Sequence, residues 1–168
     1  MLELLQEFAQ TIAGSRAHDA ALYLLGQVPG FPPLVQTVHL LSVAIIMGSV
    51  MLLGLRVLGL AMPSQLPTEM AARLAPWTWS ALPLLLASGL VFVLARPRRY
   101  LVNPMFGIKF ALLLPALILT VMLYRSLTNG RFNAAPPRLV AGLALLAWVG
   151  VVLAGRWIAY ADYLFATE

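Results

Sequence analysis

The sequence predicts an all-α integral membrane protein, in which a bundle of four transmembrane helices follows short N-terminal amphipathic helices. Of the 168 residues, 61% are hydrophobic and only 10% are charged, and the mean hydropathy is +0.89. A chain with so little polar surface cannot cover a water-soluble globule. Apolar runs close to the ~20 residues that a helix needs to cross a bilayer recur along it. We therefore divide the chain into an interfacial part (1–30) and a four-helix bundle (31–168).

The charged residues are consistent with a membrane setting. Eleven Lys and Arg residues against six Asp and Glu give a net charge of +5, and most of the basic residues flank the apolar runs. Topology and lipid headgroups explain this placement better than nucleic acid does, so the lipid bilayer is the expected partner. Cysteine is absent, which excludes disulfides and thiolate metal sites.

The first 30 residues predict two short helices. Residues 2–13 place their apolar side chains on one face of a helix, which is too short and too polar to span and is expected to lie in the interface or to cap the bundle. That face consists of Leu4, Leu5, Phe8 and Ile12. Asp19 is expected to cap a second helix that runs to Leu25. A rigid turn over 29–33 then leads into the first span.

The four spans are expected at about 34–60, 76–95, 105–124 and 139–159. A polar connection over 64–75 separates the first two, and Pro83 and Pro115 lie inside spans two and three, where they favour kinks. An even number of spans places both termini on one side of the membrane, which we expect to be a bacterial inner membrane. Basic residues are almost evenly divided between the two sides, and the excess of acidic residues on the terminal side weakly favours the periplasm.

His39 is the main functional clue, because it lies about one turn inside the first span. Ionisable side chains are costly in hydrocarbon, so such a residue indicates a functional site. A neutral imidazole can bind a metal or a haem iron, and the alternative is a structural hydrogen bond between helices. Ser42, Ser49 and Arg56 continue from His39 as a stripe that is expected to face the bundle. Each serine could instead bond only the carbonyl four residues earlier in its own helix.

Other polar residues are expected at the same end of the bundle as His39. Lys109 begins the third span there, Arg156 ends the fourth, and His18 precedes the first. These residues favour an anionic cofactor, haem b, with His39 as axial ligand and Lys109 and Arg156 at the propionates. His18 is the second histidine that a bis-histidine haem would need. For Lys109 the alternative is that its ammonium reaches the interface, without a ligand.

Two other functions stay open at this point. A copper site could use His39 with Met47 and Met51, although the two methionines lie about 80° and 120° from His39 around the helix. A non-catalytic subunit without a cofactor could instead pack against a second copy or a membrane redox partner through the small residues Ala44 and Gly48. No Gly-rich phosphate loop and no Ser-His-Asp arrangement is visible, so the sequence does not assign an enzymatic reaction.

Several short motifs resemble those of a group of small bacterial four-helix membrane proteins. The first span opens with Gln36-Thr37-Val38-His39-Leu40-Leu41 and continues with Gly48 and Arg56. The second contains Pro76-Trp77 and Ser88-Gly89, and Lys109 lies early in the third. Over most of residues 31–128 this is similar to uncharacterised families with a Q-T-x-H-L-L entry, to copper-resistance D-type domains and to membrane-bound protoporphyrinogen IX oxidases. The last resemblance implies that His39 and Lys109 are associated with haem or porphyrin.

Overall fold

The described part of the chain is helical. The structure is a computed structural model that describes residues 2–129 and 136–160, and within these ranges it contains no strand. In chain order the helices are α1 (Leu2–Ala13), α2 (Arg16–Gln27), α3 (Phe31–Leu58), α4 (Pro67–Ala95), α5 (Pro97–Leu101), α6 (Pro104–Asn129) and α7 (Pro137–Trp157). A 3₁₀ turn, Ile158–Tyr160, follows α7. Residues 161–168 lie outside the described part of the chain.

Four helices, α3, α4, α6 and α7, are long and apolar enough to cross a membrane. This confirms the predicted all-α bundle of four membrane helices. The largest difference from the sequence-based bounds is at α4, which begins at Pro67 rather than near Pro76. The polar connection predicted over 64–75 is therefore wrong from residue 67 onward. Pro67 in the first turn and Glu69 near the helix N-terminus are both favourable there, so this polar segment extends the helix.

The four long helices form an up-and-down bundle in which α3 packs against α4 and α7, and α6 packs against α7 and α4. We call the end that holds the starts of α3 and α6 and the ends of α4 and α7 the terminal end, and the other the opposite end. A central cluster fills the middle of the bundle and an opposite-end cluster fills the far end. The central cluster is Ile46, Val50, Ala81, Ala116, Ala144, Trp148 and Val151. The opposite-end cluster is Leu53, Met70, Ala71, Leu123, Tyr124, Val140 and Ala141.

The two predicted N-terminal helices are present as α1 and α2, and they pack at the terminal end. The α1 helix contacts α5, and α2 contacts α4. The predicted cap of α2 is wrong: Ser15, not Asp19, is the N-cap, and its hydroxyl accepts a hydrogen bond from the backbone N–H of His18. Asp19 lies in the first turn, where its charge still favours the helix N-terminus.

The opposite end is closed by Arg56, near the end of α3. Gly59 takes a left-handed conformation with φ 80°, which ends the helix and turns the chain. The Arg56 guanidinium then donates to the backbone carbonyls of Gln65 and Pro63 in the following loop. The predicted stripe of Ser42, Ser49 and Arg56 therefore ends in a side chain that fixes the connection between α3 and α4.

Candidate functional site

His39 on α3 is held by α4 at the terminal end. Its Nδ1 lies 3.0 Å from the hydroxyl oxygen of Ser88. The ring is only partly buried, whereas Ser88 is 5% exposed. This contact is the interhelical hydrogen bond that the sequence left open as the structural alternative for His39.

The glycine after Ser88 makes room for the imidazole. A Cβ atom at Gly89 would lie 3.3 Å from His39 Cε1 and 3.7 Å from Nδ1. The first of these distances is shorter than most real Cβ contacts, so a side chain at this position would displace the ring. The Ser88-Gly89 pair therefore provides both the hydrogen-bond partner of His39 and the space for its ring.

The hydrogen bonds around Ser88 determine which His39 nitrogen carries the proton. The Ser88 hydroxyl lies 2.6 Å from the Leu84 carbonyl oxygen and 3.1 Å from that of Leu85, and both can only accept. A serine hydroxyl has one proton, and we assign it to the hydrogen bonds with these carbonyls. In the contact with His39, Nδ1–H is then the donor and the Ser88 oxygen is the acceptor. Nε2 of His39 then has a lone pair that is available to a ligand, which is the usual arrangement of a metal-bound histidine.

Lys109 on α6 lies at the same end of the bundle. Its side chain passes over Gly155 of α7, where a Cβ atom would be 3.7 Å from Lys109 Cε and 3.9 Å from Nζ. His39 and Lys109, which the sequence placed at the centre of the candidate site, thus lie at the same end of the bundle on α3 and α6.

The helices around Lys109 provide no opposite charge. The four long helices contain a single acidic residue, Glu69, in the first turn of α4 and hence at the opposite end. A cation without a carboxylate partner at membrane depth favours an anionic ligand or exposure to the headgroups. The terminal end therefore combines an imidazole that can act as a ligand with an ammonium that lacks an acidic neighbour in these helices.

The serines of the predicted stripe are buried, as expected for a surface that faces the bundle. Ser42 is 2% exposed and Ser49 is 5% exposed. The Ser42 hydroxyl donates to the Val38 carbonyl in its own helix at 2.8 Å. Its proton is therefore used within α3, and Ser42 could contact a ligand near His39 only as an acceptor.

Arg156 and His18 are bound to other parts of the terminal end. The Arg156 guanidinium donates to the Tyr160 hydroxyl at 3.2 Å and lies 5.3 Å from the centre of that ring. His18 Nδ1 lies 2.7 Å from the Leu94 carbonyl oxygen, one residue before the end of α4. This carbonyl and Ser88 are six residues apart, or about 9 Å along the helix. Two nitrogen ligands of one metal ion lie within about 4 Å of each other, so this separation gives no support to a site that uses both histidines.

The methionines give no support to a copper site at His39. Met47 packs against the central cluster, and Met51 is 47% exposed on the outside of the bundle. Within the described residues, no group of three or more His, Cys, Asp or Glu side chains could hold a metal ion. A metal at this site would therefore need ligands of another kind, such as a porphyrin.

Residues 22–161 match the model of a family of unknown function, DUF6644. The chain belongs to this family. No curated protein and no solved structure matches the chain. The family match covers all four long helices, so the candidate site lies entirely within the DUF6644 region.

The sequence indicated Ser88 and Gly89 of this DUF6644 chain only as part of a motif. It suggested no role in the site for Gly155 or Asn103. Asn103 links α6 to the end of α7: its carbonyl oxygen accepts from the Met105 N–H at 2.9 Å, and its amide donates to the Ile158 carbonyl at 3.3 Å. The available signals were a hydroxyl beside a glycine inside a span, and an Asn-Pro pair at a helix start. Neither signal indicates which helix is the neighbour.

Proposed function

We propose that this chain is an integral-membrane haem b or porphyrin-binding protein of the cytochrome type, in which His39 is an axial ligand through Nε2. The observation that carries the proposal is the hydrogen bond from His39 Nδ1 to Ser88. It favours the tautomer in which Nε2 has a free lone pair, and it holds the ring against α4. Bound haem would supply one-electron chemistry between a quinone and a partner in the membrane.

The charges at the terminal end support an anionic ligand. Haem carries two propionates, and Lys109 has no carboxylate partner in the surrounding helices. Lys109 would pair with one propionate, which lowers the cost of a cation at membrane depth. The Arg156 guanidinium uses one of its five N–H donors for the Tyr160 hydroxyl, and we assign it no direct contact with the cofactor.

Packing favours the terminal end over the middle of the bundle. The central cluster includes Ile46 and Ala116, which have no exposed surface, and Trp148, which is 1% exposed. A planar macrocycle could enter there only by displacing this core. His39, by contrast, is only partly buried, and it lies beside Gly89, which has no side chain.

The absorbance spectrum of the protein purified from membranes tests this proposal. We expect a Soret band that is lost in His39→Ala. The matched control is His18→Ala, which removes the other histidine and should leave the band in place, because His18 is bound to the Leu94 carbonyl. A preparation without a Soret band, or a band unchanged by His39→Ala, contradicts the proposal.

A non-catalytic membrane subunit without a cofactor is the second candidate, and the same hydrogen bond favours it. The His39–Ser88 contact joins α3 to α4 and is a sufficient structural role for a histidine at this depth. In addition, no other helix among the described residues comes within 4 Å of a Cβ position at Gly48, so this face of α3 is open to a second copy or a partner helix. This candidate predicts no Soret band and normal assembly of His39→Gln, judged by size-exclusion chromatography.

We further propose that the protein resides in a bacterial inner membrane with both termini in the periplasm. The support is the distribution of acidic residues, since Glu3, Glu7, Asp19, Asp162 and Glu168 belong to the terminal side and Glu69 to the other. Because the chain has no cysteine, Glu3→Cys creates a single thiol. This thiol should react with a membrane-impermeant maleimide in intact spheroplasts. A thiol that reacts only after lysis would show that the termini are cytoplasmic.

A further inference from the structure

Part of the apolar face of α1 is left uncovered by the residues that the structure describes. Ala9 is fully buried and marks the side that packs against the bundle. At 100° per residue, Phe8 lies about 100° and Leu4 about 140° from Ala9 in the same direction. They are 56% and 69% exposed. The polar residues of α1 that turn the other way are Glu3, Gln6 and Gln10.

The exposed flank of α1 has the form of a surface that enters the interfacial region of a bilayer. Glu7 and Thr11 border this flank, and with Leu4 and Phe8 they line a shallow open concavity of about 230 Å³. A helix with apolar residues on one side and Glu and Gln on the other lies in the plane of an interface, with its apolar side in the acyl boundary. Since α1 packs at the terminal end of the membrane bundle, it lies at the level where the spans leave the hydrocarbon.

The neighbouring helix α5 adds cations at the same level. It has the sequence Pro97-Arg98-Arg99-Tyr100-Leu101 and contacts α1. Pro97 is buried, whereas Arg98 and Arg99 are exposed, as is the preceding Arg96. A guanidinium matches the oxygens of a phosphate with two parallel N–H donors, and each basic residue near an anionic surface strengthens membrane binding.

We propose that α1 and α5 together form a binding surface for an anionic phospholipid. Leu4 and Phe8 contact the acyl chains, and Arg98 and Arg99 bind the headgroup phosphate. Charge complementarity and the continuous apolar flank favour a lipid over a partner protein, because a lipid presents an anion and an apolar chain in this order from water inward. The proposal is independent of any cofactor at His39.

Lipid selectivity of the full-length protein provides the first test. Native mass spectrometry in detergent with added phosphatidylglycerol or phosphatidylcholine should show preferential retention of phosphatidylglycerol. The double variant Arg98→Gln/Arg99→Gln should weaken that binding by about 10- to 30-fold, as expected from loss of two basic residues at a surface. The matched control is Arg73→Gln/Arg125→Gln, which removes the same charge at the opposite end and should leave the affinity within about twofold.

Spin labelling provides a second test that does not depend on folding of an arginine variant. The chain has no cysteine, so Phe8→Cys and the control Gln10→Cys each give one labelling site. In phosphatidylglycerol vesicles, a label at position 8 should collide more with oxygen than with a water-soluble nickel complex, and a label at position 10 should show the reverse. Equal retention of the two lipids, an equal effect of the two double variants, or a water-exposed label at position 8 would each overturn the proposal.

Discussion

The two ends of the bundle use similar polar side chains in different ways. At the opposite end, the hydroxyls of Thr78 and Tyr124 bond each other at 2.9 Å, and Arg56 donates to two loop carbonyls. At the terminal end, His39 uses Nδ1 for Ser88 but retains Nε2, and Lys109 lies over Gly155 without an acidic neighbour in the long helices. Polar groups whose hydrogen-bond partners lie within the protein stabilise one packing arrangement. Polar groups with an unused donor or acceptor can bind a ligand.

Truncation in the opposite-end cluster should produce the largest loss of stability. Leu53 is fully buried there, so Leu53→Ala leaves a cavity and should lower the free energy of unfolding by about 2–3 kcal/mol. Unfolding in mixed micelles, followed by circular dichroism, measures the effect. Leu52→Ala is the control, because this neighbouring side chain is 40% exposed and should change stability by less than about 0.5 kcal/mol. Equal losses in the two variants would show that this end is not a packed core.

A larger side chain at position 89 should act on the ligand rather than on stability. In Gly89→Leu the new side chain would meet the His39 ring and move Nδ1 away from Ser88. Loss of such a supporting contact costs about 10- to 100-fold in ligand affinity. Haem titration of the purified protein measures it. Gly48→Leu, where the structure has open space, should retain full affinity, and equal affinities of the two variants would contradict the site geometry.

Removal of the Tyr124 hydroxyl should give the smallest effect. In Tyr124→Phe the Thr78 hydroxyl keeps its 3.0 Å bond to the Leu74 carbonyl, so the buried donor stays paired. We expect a loss of about 0.5–1 kcal/mol, typical of one interhelical hydrogen bond in a membrane protein. The same unfolding assay detects it, and the Soret band should not change. A change in the Soret band of this variant would show that the two ends of the bundle are coupled. It would contradict the view that the opposite end has only a structural role.

The sequence was sufficient for the membrane fold because span length and apolar composition are local properties. It was insufficient at α4, where Glu69 and Arg73 suggested a connection, although a helix can continue into the polar interface when its own residues favour it. It also selected Asp19 as the cap of α2, where Ser15 was equally suitable by residue type. Local preference alone cannot decide between two possible capping residues four positions apart.

The candidate site was predictable in part. The position of His39 and Lys109 at one end follows from topology, since both lie near the terminal side of their spans. The partner of His39 depends on how α3 and α4 are rotated against each other, which no pattern within one helix specifies. Arg156 was expected with Lys109 at the propionates; its guanidinium donates to Tyr160, and the residue next to it, Gly155, lies under the Lys109 side chain.

The up-and-down order of the helices also has a consequence for biogenesis. The α3–α4 pair and the α6–α7 pair are each joined by a short connection, so each can enter the bilayer as a helical hairpin during synthesis. The hydrogen bond between His39 and Ser88 lies within the first hairpin and can form before the second is translated. Lys109 arrives only with the second hairpin. The contact that orients the imidazole therefore needs only the first hairpin, whereas a site that also used Lys109 would need both hairpins.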